Sequence, residues 1–119
     1  MNNPPRVGIL AASLFVRVAV EAAVRGCGAV PVILGSLADA RVAGSSVIIL
    51  DLETPGLRVA EGIAELVRVG VHVLAFSSRE DDAVLGVARK AGAVALPRVG
   101  FLRQLPALLG FFVDDSEVE

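Results

Sequence analysis

A carboxylate at Asp51 closes the run Ser46-Val47-Ile48-Ile49-Leu50 and is followed by Leu52-Glu53-Thr54-Pro55-Gly56. A block of β-branched and large apolar residues, bounded by a serine before and by an acid, proline and glycine after, reads as a strand buried on both faces that ends at Asp51. Ligands and chemistry in open parallel sheets collect beyond the carboxyl ends of the strands, so an acid there stands where function usually sits. The other reactive residue types are isolated. Cys27, the only cysteine, lies between Gly26 and Gly28 with no histidine or acid at short spacing to activate it, and it cannot form an internal disulfide. His72, the only histidine, sits inside an apolar run and supplies neither a metal cluster nor a triad. The loop Ala11-Ala12-Ser13-Leu14-Phe15-Val16 has no glycine that would let a backbone approach pyrophosphate, and Lys90, the only lysine, has no P-loop before it. With no acid/base pair and no nucleophile beside a base, the chain reads as a non-enzyme.

The elements that must position Asp51 follow from punctuation and period. Met1 to Pro5 reads as a disordered lead, and Val7 to Ala12 as a first strand. Ser13 then caps a helix whose charges, Arg17, Glu21 and Arg25, recur every four residues. All else on that helix is apolar, so most of its circumference is expected to be buried. A second strand, Ala29 to Leu34, contains Pro31, which gives the ladder no donor and points to a sheet margin. A short helix over Leu37 to Val42 precedes the Asp51 strand. After it come a helix over Leu57 to Val69, a strand over Val71 to Phe76 with Ser77-Ser78 at its end, and a helix starting near Arg79 to Asp82. A fifth strand spans Ala93 to Pro97. A terminal helix spans Phe101 to Val113, started late or broken by Pro106, and the acidic tail 114–119 is expected to fray. Strands alternate with helices over short connections, which selects an α/β architecture with a parallel sheet and right-handed crossovers.

At 119 residues the chain reads as one domain, residues 1–119, able to bury roughly two thirds of its unfolded surface without disulfides or metal. Hydrophobic residues make up 55% and the mean hydropathy is +0.72, yet the longest uncharged stretches are about half of what a spanning helix needs. No membrane association is expected, and Arg17 and Glu21 fall where a secretion signal would continue towards its cleavage site. A cytoplasmic location is the default. The net charge of −2, arginines dispersed along the chain and the lack of Tyr and Trp give no support to nucleic-acid binding.

From about Arg6 to Val113 the order and length of elements resemble the receiver domains of two-component response regulators, the CheY-like branch of the flavodoxin-like folds. The residues that carry the resemblance are Asp51 with Leu-Glu-Thr-Pro-Gly after it, as in the family's Asp-x-x-x-Pro-Gly, Ser77 after the fourth strand, and Gly92-Ala93 before the fifth. The resemblance implies a doubly wound, five-stranded parallel sheet in the order 2-1-3-4-5. It also implies that Asp51 is the phosphoacceptor candidate and Ser77 the hydroxyl that binds the phosphate. Ala11 and Ala12 stand where the family carries the acid pair that holds Mg²⁺ with the phosphoacceptor, and methyl groups cannot ligate a hard cation. The family's lysine after the fifth strand is replaced by Arg98 as the nearest candidate, bulkier and forked. If the chain stays extended past Asp51, Glu53 points to the same side and the two carboxylates form a weak metal site.

The expectation is therefore a stand-alone pseudo-receiver that signals through protein contacts, independently of phosphorylation and with no cofactor. Its partners would be a histidine kinase or a separate output protein, since a chain ending at residue 119 leaves no room for a DNA-binding module. Two alternatives remain: a small-molecule or cofactor module on the same fold, with Asp51, Ser77 and Ser13 lining its pocket, and a receiver phosphorylated at Asp51. The terminal helix carries more apolar surface than one face needs, so a homodimer interface is expected at Phe101, Leu105, Leu108, Leu109 and Phe112, the face that receiver-like domains commonly use.

Overall fold

The computed structural model describes residues 4–39, 44–78 and 82–117. Among them the elements run β1 (Arg6–Leu10), α1 (Leu14–Gly26), β2 (Val30–Ile33), β3 (Val47–Asp51), α2 (Val59–Arg68), β4 (His72–Ser77), α3 (Asp82–Lys90), β5 (Val94–Pro97) and α4 (Arg98–Glu117). Every strand pairing is parallel, and the sheet order is β2-β1-β3-β4-β5, as expected. No described helix is long and apolar enough to cross a membrane.

Strand β3 lies at the centre, and all five of its residues are buried. Side chains alternate across a strand, so Val47 and Ile49 face one layer while Ile48 and Leu50 face the other. The first layer joins Ile9, Leu74 and Phe76 to Val16 and Val20 of α1 and to Phe101, Leu105 and Leu109 of α4, with the Phe76 and Phe101 rings 5.0 Å apart. The second joins Val73 and Ala75 to Ile63 and Leu66 of α2 and to Leu85 and Ala88 of α3. Both helix-to-strand returns after α1 and α2 use one device. Gly28 and Gly70 take φ of 86° and 90°, and the next residues, Ala29 and Val71, donate to the carbonyls of Val24 and Leu66. That bond closes the helix end and aims the chain at the next strand. The two edge strands are blunted differently: Pro31 removes a donor from β2, and Arg89 Nε and Nη2 donate to the Ala95 carbonyl of β5 at 3.0 and 2.8 Å.

Several boundaries move. The lead is tied to the sheet by its end, where the Pro5 carbonyl accepts from Val30 N–H at 2.8 Å; residues 1–3 lie outside the described residues. β1 stops at Leu10, leaving Ala11 and Ala12 in the connection. Of the short helix expected over Leu37 to Val42, and of the start of the helix expected at Arg79, residues 40–43 and 79–81 lie outside the described residues. The terminal helix starts at Arg98, directly on the end of β5, rather than starting late, and runs through Pro106 to Glu117. Proline removes one intrahelical donor, and the burial of Phe101, Leu105, Leu109 and Val113 on the sheet holds the helix across it.

Two surface expectations are corrected by the packing. Phe101, Leu105 and Leu109 recur every four residues on the inner face of α4 and are at most 1% exposed, so they belong to the core of a single chain and not to an interface. Leu108 and Phe112 are half-buried beside them, and the Phe112 ring packs on His72 at 5.0 Å. The reverse holds for α1, where only Val16, Val20 and Val24 are buried and much of the apolar circumference faces solvent.

Because Ile49 is fully buried between the sheet and the helices α1 and α4, Ile49→Ala should lower the unfolding free energy by about 2–5 kcal/mol. Val99→Ala, at a side chain 70% exposed on α4, should stay within about 0.5 kcal/mol. Urea denaturation of both variants checks the contrast, and equal losses would contradict the central place given to β3.

Candidate functional site

The carboxyl ends of β1, β3, β4 and β5 meet at one edge of the sheet, and the polar residues collect there. Asp51 ends β3 and is 9% exposed, opposite Phe76 in the register with β4. The ladder continues one step further, with Leu52 N–H donating to the Phe76 carbonyl at 2.9 Å. The chain then turns tightly around Asp51: Glu53 N–H donates to Asp51 Oδ1 at 2.9 Å, and Thr54 donates through both its N–H and its Oγ1 to the Asp51 carbonyl at 3.1 and 2.7 Å. This is an Asx-type turn, the local bond that aspartate forms with the backbone two residues on. It explains why the strand ends here and why the carboxylate is held inward.

Burial pushes the Asp51 carboxyl above its ordinary value of 3.8, and the nearby negative charge of Glu53 pushes it the same way. The Glu53 N–H bond and the positive charge of Arg98 act in the opposite sense, with burial the largest influence. Arg98, the candidate for the lysine position, is the exposed first residue of α4 and lies within the electrostatic reach of Asp51. Ser77 ends β4 fully buried, one position past the register partner of Asp51. The two candidates thus lie on neighbouring strand ends.

Glu53 turns away from the role sketched for it. Its Oε1 accepts from Ser78 N–H at 3.0 Å and from Ser78 Oγ, which clasps the loop after β3 to the loop after β4. Ser78 is the residue that sequence reasoning passed over. The adjacent Ser77-Ser78 pair was the available signal, since one of two neighbouring hydroxyls at a strand end must face the opposite way from the other. Ser13, a pocket candidate, accepts from Val16 N–H at 3.3 Å and serves as the N-cap of α1. His72 begins β4 at the opposite edge of the sheet, and Cys27 Sγ is turned to the Val24 carbonyl at 3.1 Å.

Mg²⁺ takes near-octahedral oxygen coordination, and the donors here do not fit it. Ala11 and Ala12 offer methyl groups at the end of β1, one Asp51 oxygen accepts from the backbone, and one Glu53 oxygen is held by Ser78. Among the described residues no group of three His, Cys, Asp or Glu side chains is placed to hold a metal. Beside Thr54 a groove of about 390 Å³ opens between the loop after β2 and the start of α2, lined by Leu10, Leu37, Thr54, Leu57, Arg58 and Glu61.

No protein-family model matches the sequence, and no curated protein matches it. Solved structures do. A response regulator from Thermotoga maritima superposes with a TM-score of 0.76 at 18% identity, covering 94% of this chain and 99% of that one. The chemotaxis protein CheY4 of Vibrio cholerae gives 0.74 at 18% identity over 92% and 99% of the two chains. HP1043, an orphan response regulator of H. pylori, gives 0.70 at 14% identity over 92% and 96%. At such identities the likeness is one of fold: the chain has the architecture on which these receivers are built, the flavodoxin-like sheet of the CheY type.

Proposed function

We propose that the chain is a receiver-like signalling domain of the cytoplasm that acts through contacts with other proteins, a histidine kinase or a separate output protein, and takes no phosphoryl group. The fold likeness supports the first half of that reading. The observation that carries the second is the make-up of the edge around Asp51: an acid in the acceptor position, alanines where a cation would need acids, and the neighbouring Glu53 clasped by Ser78. Phosphoryl transfer is catalysed almost entirely by positioning and by neutralising the charge on the moving group, and a Mg²⁺ ion supplies most of that neutralisation. Arg98 alone is a poor substitute, because it is exposed and screened by water. The lack of an acid/base pair or an activated nucleophile favours a non-enzymatic role. A second reading, a small-molecule module, draws on the groove beside Thr54 and would be favoured by a ligand retained through purification.

Acetyl phosphate with millimolar Mg²⁺ should leave the intact mass unchanged. A stable gain of one phosphoryl group, abolished by Asp51→Asn, would contradict the proposal. The combined change Ala11→Asp and Ala12→Asp should raise Mg²⁺ affinity by at least about tenfold in calorimetric titration, because hard-cation binding follows the number and charge of oxygen ligands.

Asp51 also makes a prediction about stability. A carboxyl whose folded pKa is raised favours folding most when protonated, below the unfolded value near 3.8, and that contribution is lost as pH rises through the higher folded value. Asp51→Asn removes the buried charge and keeps an oxygen for the Glu53 N–H. The variant should unfold at a higher urea concentration than the wild type near pH 7, with the gap closing as pH falls towards 4. A wild type that is the more stable of the two near pH 7 would refute it.

A further inference from the structure

The groove beside Thr54 lies where the order of strands in the sheet reverses. β1 stands between β2 and β3, and the helices that follow β1 and β3 leave for opposite layers, α1 to the first and α2 to the second. Such a division opens a crevice outside the carboxyl ends of the strands, the place where open α/β sheets bind ligands. Leu10, the last residue of β1, is part of the lining, together with the loop after β2 and the first turn of α2. Two glycines keep the groove open. No heavy atom lies within 4 Å of where a Cβ on Gly56 would stand, and the φ of 77° at that residue disfavours any side chain there. A Cβ on Gly62, inside α2, would stand 2.6 Å from Leu37 Cδ1. Glycine is a poor helix residue, and here its bareness lets Leu37 lie against the helix as one wall.

We propose that this groove binds an uncharged, largely apolar small molecule. Its volume of about 390 Å³ falls within the roughly 300–1,000 Å³ of small-molecule sites. Leu10, Leu37, Pro55 and Leu57 give it an apolar lining, and its walls ask for little hydrogen bonding. Thr54 uses its N–H and its Oγ1 on the Asp51 carbonyl, Gly35 N–H donates to Asp39 Oδ2 at 3.0 Å, and Leu57 N–H donates to the Thr54 carbonyl at 3.2 Å. Among the described residues the buried side-chain polar atoms without a partner are Arg17 Nε and Ser45 Oγ, and neither residue lines the groove. A polar ligand body would therefore give up bonds to water and find few in return. Arg58 and Glu61, the charged residues of the lining, are exposed and of opposite sign, so the groove favours no ion over a neutral molecule. The inference rests on the small-molecule reading of the groove given above, to which it adds the class of ligand, and it is compatible with signalling through protein contacts.

Indole is a suitable probe, because the chain has no Trp or Tyr and the emission of the added ring is read without protein background. On titration with the full chain, indole should show a saturable blue shift, with a dissociation constant in the millimolar range or below. The backbone amides of Gly35, Gly56 and Gly62 should shift with the same constant in the wild type, a readout that needs no variant. Leu37→Glu should weaken binding at least about tenfold, since it places a charge in an apolar wall. Phe15→Glu, at the separate apolar depression of α1 lined by Leu14, Phe15, Val18 and Ala19, should leave binding unchanged. Indole-3-acetate and tryptamine, which add a negative and a positive charge to the same ring, should each bind at least about threefold more weakly than indole. Saturable binding by none of the three probes overturns the inference together with the reading beneath it. A charged probe that binds as tightly as indole or more tightly overturns the ligand class alone and leaves that reading standing. Indole binding that is lost in Phe15→Glu and kept in Leu37→Glu would place the site on α1 and overturn the inference as well.

Discussion

The rest of the structure depends on the burial of β3 on both faces and both edges. Val47, Ile48, Ile49 and Leu50 have no exposed surface at all, so helices must cover both sides of the sheet and strands must flank both edges. Parallel strands buried in this way need crossovers, and the crossovers here are helices that alternate between the two faces. All carboxyl ends then emerge at one edge. The polar residues that follow β3 and β4 are brought within one register step of each other because hydrophobic burial left them nowhere else to go.

That same constraint sets the chemistry of the edge. Asp51 is the residue at which a dry strand meets the loop, and its carboxylate is partly desolvated and tied to the next turn by Glu53 N–H. A charge in such a position is stabilised by a cation, by several donors, or by taking up a proton. Acids on the neighbouring strand would bring the cation; here the neighbour contributes Ala11 and Ala12. The Glu53–Ser78 clasp joins the two loops by hydrogen bonds.

How far all this was legible in the sequence differs from element to element, and the reasons are physical. The apolar run ending at Asp51 and Pro31 at the margin were readable because each reports a local requirement of the backbone. Strand order was not local and came through the family resemblance. The two long apolar helices were misjudged in opposite directions. Periodicity tells how much of a helix is apolar, but which third the sheet covers depends on how the helix is rolled onto it. On α1 the charges at Arg17, Glu21 and Arg25 mark a flank rather than the outer face, whereas on α4 the residues expected at an interface point into the core. The clasp from Glu53 to Ser78 spans 25 positions, so the Ser77-Ser78 pair signalled a hydroxyl facing away from Ser77 but not its partner.

Whether the edge around Asp51 takes a hard cation decides how this site works. The most direct measurement follows the backbone amide resonances of Asp51, Glu53 and Ser78 while Mg²⁺ is raised through the millimolar range at constant ionic strength. These amides should stay where they are, with only the small linear drift that bulk salt produces. A saturable shift of the three resonances, absent from Asp51→Asn, would mean that the alanines and the clasp do not keep the ion out and that the site is a metal-binding one.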